Sequence, residues 1–100
     1  MIDYAFLPAA EAEVADAILY YEAQVGGLGS SFLEAIERTV TFIRQYPAIG
    51  TRSVGTTRRV LVAGYPYAVV FRQRTESVLV IAVAHVRRQP GYWSTRSRQV

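Results

Sequence analysis

The residues best suited to chemistry lie close together near the C-terminal end of the chain, directly after its most apolar segment. That segment, residues 78–85, reads Val-Leu-Val-Ile-Ala-Val-Ala-His, and Arg87, Arg88, Tyr92 and Trp93 follow His85. Histidine transfers protons near neutral pH, arginine binds phosphate or carboxylate through parallel hydrogen bonds, and aromatic rings stack on bases or pack on peptides. These side chains would suit either phosphate chemistry or the recognition of an anionic partner.

A second group of basic residues precedes this segment, with Arg58 and Arg59 at the start of one predicted strand and Arg72 at the end of the next. Residues 51–100 hold nine arginines and one acid, a formal charge of +8, whereas residues 1–50 hold two arginines and seven acids, a charge of −5. Such asymmetry predicts a basic surface that binds nucleic acid or an acidic protein segment.

Each of these residues also has a purely structural interpretation. A histidine that ends an apolar strand often only makes a hydrogen bond, so His85 fits a structural role as well as a catalytic one. Arg87 and Arg88 are adjacent and point to opposite faces if the strand continues, while Arg58 and Arg59 would discourage pairing at a sheet edge. Tyr92 and Trp93 could close the end of the core.

The periodicity of apolar residues predicts the elements that position these side chains. Pro8 favours the first turn of a helix, and Ser30 or Ser31 is a candidate N-cap for a second helix. The run with no charge at 78–85 is typical of a central strand buried on both faces. The predicted elements are a strand at 2–7, helices at 9–25 and 31–46, and strands at 58–63, 67–72 and 78–85. The order β-α-α-β-β-β predicts an α+β fold with a mostly antiparallel sheet and a helical hairpin packed on one face.

Composition predicts one folded domain, because half of the 100 residues are apolar and fewer than a quarter are charged. We assign residues 1–93 to this domain and expect the basic segment 94–100 to be a flexible tail. The chain contains no cysteine, and we identify neither a signal peptide nor an apolar run long enough to span a membrane. We expect a cytoplasmic protein without a metal or cofactor and without membrane association.

Several short pieces, in this order along the chain, resemble the ParE/RelE superfamily of toxins from type II toxin–antitoxin systems, and most closely its ParE-like, plasmid-stabilisation branch. None is specific alone, but together they span nearly the whole chain. They are Tyr20-Tyr21-Glu22, Gly27-Leu28-Gly29, Phe32-Leu33, Ile43, Pro47, Gly50, Arg58-Arg59, Tyr65-Pro66-Tyr67, Val70-Phe71-Arg72, residues 80–85, Arg87-Arg88, Pro90 and Trp93. The resemblance implies a small curved sheet that carries a helical hairpin.

The resemblance implies two alternative functions. ParE-like toxins inhibit DNA gyrase without chemistry of their own, whereas RelE-like toxins cleave mRNA on the ribosome. A nuclease needs a proton-transfer group beside the phosphate, for which this chain offers His85 and Tyr92, with Arg59 and Arg87 as phosphate ligands. Arginine is a poor proton-transfer group and the chain has no lysine, which favours the gyrase alternative.

The resemblance further implies a cognate antitoxin whose acidic, amphipathic C-terminal segment binds this chain, giving a toxin–antitoxin hetero-oligomer. For contact with the target or the antitoxin, we select the arginines and the two aromatic residues near the C-terminus. They are Arg58, Arg59, Arg72, Arg87, Arg88, Tyr92 and Trp93.

Overall fold

The computed structural model describes residues 1–98 and has the α+β architecture that the sequence predicts. Its elements are β1 (Asp3–Phe6), α1 (Pro8–Gln24), α2 (Leu28–Gln45), β2 (Thr51–Arg52), β3 (Arg58–Leu61), β4 (Tyr67–Gln73), β5 (Ser77–His85) and α3 (Ser94–Arg98). The strands form one sheet in the order β1-β5-β4-β3-β2, in which only β1 and β5 run parallel. Strand β2 pairs two residues from the segment 47–57, for which the sequence predicts only a loop.

Strand β5 lies between β1 and β4, and residues 78–84 are all buried. This confirms the prediction of a central strand covered on both faces. One face packs under α1 and α2, which form the predicted helical hairpin, and Trp93 covers part of the other face. The C-terminal end of β5 therefore lies beside α1, where His85 and Asp16 line the same surface pocket.

The pairing of β4 with β5 contains an irregularity that the sequence does not reveal. Val70 pairs with Ala82 and Phe71 with Val80, so Ile81 has no partner across the strand pair. The extra residue reverses the alternation of side chains between the two faces. Val83 consequently packs in the same core as Val80, and His85 lies opposite Tyr67 on the helical side of the sheet.

The first helix begins at Pro8, one residue before the predicted range 9–25, whereas the start of α2 differs further from the expectation. Neither Ser30 nor Ser31 caps it, because the helix already begins at Leu28 and its N-cap is Gly27, with a φ of 89° that suits glycine. The carboxylate of Glu22 instead accepts hydrogen bonds from the backbone N–H groups of Gly27 and Gly29, at 3.0 Å each. An acid from the preceding helix thus replaces the predicted serine N-cap.

The structure describes most of the C-terminal segment 94–100, for which the sequence predicts a flexible tail. Residues 94–98 form the short helix α3, and Arg96 makes a hydrogen-bonded ion pair with Glu13 of α1. The last two residues of the predicted tail, 99 and 100, lie outside the described part of the chain. Within the described part, no helix is long and apolar enough to cross a membrane.

Candidate functional site

His85 ends β5 with its ring partly buried against Tyr67, at 5.2 Å between ring centroids. Its Nδ1 atom accepts a hydrogen bond of 3.1 Å from the backbone N–H of Arg87. A nitrogen that accepts in this way carries no proton, so the hydrogen of the neutral ring is assigned to Nε2. His85 thereby fixes the turn that leaves the sheet.

The chain leaves β5 through a tight turn that exposes two arginines. The N–H of Arg88 donates to the carbonyl of His85 at 3.0 Å, and the N–H of Val86 donates to the carbonyl of Pro66 at 2.9 Å. Arg87 and Arg88 are both exposed. The guanidinium of Arg88 lies 3.8 Å from the centre of the Tyr92 ring, a cation–π geometry that orients the arginine while leaving its N–H groups accessible.

Glu13 of α1, which sequence analysis does not select, is the centre of this region. Its carboxylate accepts hydrogen bonds from the Tyr92 hydroxyl at 2.5 Å, from Arg96 at 2.9 and 3.2 Å, and from the backbone N–H of Val83 at 3.0 Å. The nearest guanidinium nitrogen of Arg88 is 3.9 Å away. Only 14% of the Glu13 side chain is exposed, which strengthens these interactions relative to a surface ion pair.

Tyr92 is held in its neutral form. Burial raises the pKa of its hydroxyl, and the hydrogen bond to Glu13 and the charge of that carboxylate raise it further, against a smaller opposite effect of Arg88 and Arg96. A hydroxyl that already donates to a carboxylate is a weak candidate for general base catalysis. Next to it, Trp93 is 4% exposed and packs on Leu79 and Ile81. Tyr92 and Trp93 therefore anchor the segment to the sheet.

A surface pocket of about 290 Å³ opens between α1 and the ends of β4 and β5. Its walls include Asp16 and Tyr20 from α1, besides residues of the cluster already described. Burial raises the pKa of Tyr67 in this wall, and the charge of Glu13 raises it further. The pocket therefore presents the protonated hydroxyl of Tyr67 and the exposed acid Asp16 beside Arg88.

The other selected arginines lie at the opposite end of the strand pair. Arg58 and Arg72, together with Arg52 from β2, line a pocket of about 400 Å³. Arg58 donates to the carbonyl of Gly50 at 3.3 Å. Arg59 pairs with Val70, and its side chain therefore belongs to the sheet face away from the helical hairpin.

The structure thus divides the selected residues into two groups. Arg87, Arg88, Tyr92 and Trp93 lie with His85 at one end of β5, while Arg58, Arg59 and Arg72 lie towards the other end. The pair Tyr67–His85 and the pair Gln73–Val78 lie six residue steps apart along β4, about 20 Å of backbone. The four residues considered for a nuclease do not converge, because Arg59 and His85 lie on opposite faces of the sheet.

Comparison with known proteins identifies the family. The family profile described as "ParE toxin of type II toxin-antitoxin system, parDE" matches residues 4–90. A search of curated protein sequences finds no significant match.

Two of the solved structures that share the fold are also toxins or toxin complexes. One is described as the chromosomal ParDE TA system from P. aeruginosa, with a TM-score of 0.69 and 18% identity, over 85% of this chain and 96% of that chain. The other is the isolated RelE toxin of E. coli, with a TM-score of 0.64 and 19% identity, over the full length of both chains. At this level of identity, both similarities establish the fold alone.

Proposed function

This chain belongs to the ParE toxin family of type II toxin–antitoxin systems, and from that premise we propose that it inhibits growth by binding DNA gyrase. The observation that carries the proposal is the exposed pair Arg87 and Arg88 on a segment whose only tyrosine hydroxyl is already bound to Glu13. The two exposed arginines, of which Arg88 is supported by the Tyr92 ring, offer directional contacts to carboxylates or phosphates, whereas the segment presents no free acid–base pair.

Cleavage of mRNA on the ribosome is the second candidate, favoured by the similarity to RelE and by the position of His85. Three features argue against it. Nδ1 of His85 accepts from the Arg87 backbone, the Tyr92 hydroxyl donates to Glu13, and Arg59 lies on the other face of the sheet. A nuclease requires these groups around one phosphate.

We further propose that an antitoxin binds this chain through an acidic, amphipathic C-terminal segment, as a hetero-oligomer in the cytoplasm. The pocket lined by Arg52, Arg58 and Arg72 supports this, because three arginines border a space large enough for carboxylate side chains. The similar structure from P. aeruginosa is described as a ParDE system. Arg59, on the neighbouring sheet face, would extend the same basic surface.

The decisive experiment adds purified protein to a gyrase supercoiling reaction and, separately, to translating ribosomes with a defined mRNA. We expect loss of supercoiling, relieved by the antitoxin, and intact mRNA. Codon-dependent mRNA cleavage with supercoiling unchanged would contradict the proposal and establish the nuclease. Arg87→Ala with Arg88→Ala serves as the inactive control in both reactions.

A further inference from the structure

Part of one edge of the central strand β5 has no neighbouring strand. Side chains from other parts of the chain bond to its backbone there instead. β1 ends at Phe6, and its last contact with β5 is the hydrogen bond from the N–H of Leu7 to the carbonyl of Val80, at 3.0 Å. The next backbone groups on that edge, the Ile81 carbonyl and the Val83 N–H, therefore have no neighbouring strand. Buried backbone groups of this kind need partners.

Glu13 and Arg96 supply these partners from two distant parts of the chain. Glu13 accepts from the Val83 N–H at 3.0 Å, and Arg96 donates to the Ile81 carbonyl at 3.3 Å. The same two side chains form an ion pair of 2.9 Å. The edge of β5 and the C-terminal segment are thus joined through one carboxylate and one guanidinium. These two groups take the place of the hydrogen bonds that a neighbouring strand would make.

The consequence extends to the exposed arginines. Glu13 also holds the Tyr92 hydroxyl, and the Tyr92 ring supports the guanidinium of Arg88 from 3.8 Å. A contact chain therefore runs from α1 through Tyr92 to Arg88. An arginine on an unsupported loop would lose side-chain and backbone freedom on binding, and a supported one loses less.

From this arrangement we infer that Glu13 is a positioning residue: it docks residues 86–96 on the free edge of β5 and so holds Arg88 ready for the target. The inference rests on the proposed function for the identity of the target, but the docking itself does not. It assigns a role in target recognition to a helix residue that does not itself need to touch the target.

The single tryptophan of the chain makes the docking measurable. Trp93 is 4% exposed and lies within the segment that Glu13 holds, so its emission and its quenching by acrylamide report whether the segment is docked. Glu13→Ala removes every contact of the carboxylate. Glu13→Gln keeps one acceptor oxygen, which can serve Val83 or Tyr92 but not both, and weakens the pairing with Arg96. Glu11→Ala makes the same substitution on an exposed residue of the same helix and serves as the control.

We expect Glu13→Ala to shift Trp93 emission to longer wavelength and increase its quenching, while circular dichroism retains the helices and the sheet. Growth inhibition and gyrase binding should weaken about tenfold or more, the scale of losing a charge-assisted contact. Glu13→Gln should fall between Glu13→Ala and the wild type, and Glu11→Ala should match the wild type in every measurement.

Two results would overturn the inference: Trp93 that stays protected in Glu13→Ala, or Trp93 that is released without any loss of growth inhibition. If Glu13→Ala does not fold, Glu13→Gln decides, since wild-type quenching and toxicity in that variant would equally contradict a role for the charge. A wild-type protein that leaves gyrase unaffected would refute the proposed target instead, and the Trp93 measurements would still test the docking.

Discussion

The two ends of the β4–β5 strand pair hold their arginines in opposite ways. At one end, Arg52, Arg58 and Arg72 surround an open pocket, and none of the described residues that line it is acidic. At the other end, the carboxylate of Glu13 binds Arg96 and Tyr92 and lies close to Arg88. A pocket lined by several arginines favours capture of an anionic segment, whereas a carboxylate-centred network favours a fixed geometry.

This difference suggests a division of functions between the two ends of the strand pair, one binding the antitoxin and the other binding the target. The open pocket would gain from a partner that supplies its own carboxylates, as an acidic antitoxin segment would. The fixed arginines would gain from a partner with a defined surface, since a pre-positioned side chain loses little freedom on binding. The variants below test this division, beginning with the largest expected effect.

The largest effect is expected from comparing the arginines of the two ends. Arg87→Ala with Arg88→Ala should abolish growth inhibition and lower the free energy of unfolding by no more than about 1 kcal/mol, because both side chains are exposed. Arg52→Ala with Arg58→Ala should leave growth inhibition intact and weaken neutralisation by the antitoxin. Growth curves with and without antitoxin, together with urea unfolding, measure both. The reverse pattern would contradict the proposed division.

The features of the fold and the site that could be predicted from the sequence are those that depend on local patterns. The uncharged run at 78–85 identifies the central strand, Pro8 identifies the start of α1, and the arginines after β5 identify the exposed pair. These features succeed because periodicity, proline geometry and charge act over a few residues.

The features that could not be predicted from the sequence depend on contacts between residues far apart in the chain. Glu13 looks like an ordinary acid near a helix N-terminus, yet its partners Val83 and Arg96 lie 70 and 83 positions away. The unpaired Ile81 cannot be recognised within a continuous apolar run, although it determines which face of the sheet His85 occupies. A weak signal for Glu13 does exist, because it lies three residues after buried Ala10 and four before buried Ala17. That spacing places the carboxylate at the border of the apolar helix face.

A smaller effect is expected from His85, which separates a structural role from a catalytic one. Its Nδ1 binds the Arg87 N–H at a site that water reaches, so His85→Ala should cost only about 0.5–1.5 kcal/mol of unfolding free energy. Asparagine carries an acceptor at the equivalent position and commonly bonds the N–H two residues ahead. His85→Asn should therefore regain much of that stability and remain toxic.

Urea unfolding and growth assays on the same two variants provide the test. A His85→Asn protein that is as stable as the wild type and yet harmless to cells would contradict the structural role. It would also return His85 to consideration as a proton-transfer group, together with the nuclease alternative. Tyr67→Leu, which removes the ring contact on the other side of His85, controls for packing alone.

The smallest effect is expected at alkaline pH, where it reports on the buried Tyr92 hydroxyl and its contact with Glu13. The pKa of Tyr92 is raised in the folded protein, so above pH 10.0, the ordinary tyrosine pKa, the unfolded chain loses this proton first. Stability should therefore fall as the pH rises beyond that value.

Tyr92→Phe removes this contribution, so its unfolding free energy should decline less steeply between pH 9 and 11. Tyr21 and Tyr67, whose pKa values are also raised, contribute equally to both proteins. Urea unfolding at the two pH values measures the difference, and parallel slopes for wild type and Tyr92→Phe would show that Glu13 does not hold the hydroxyl in solution.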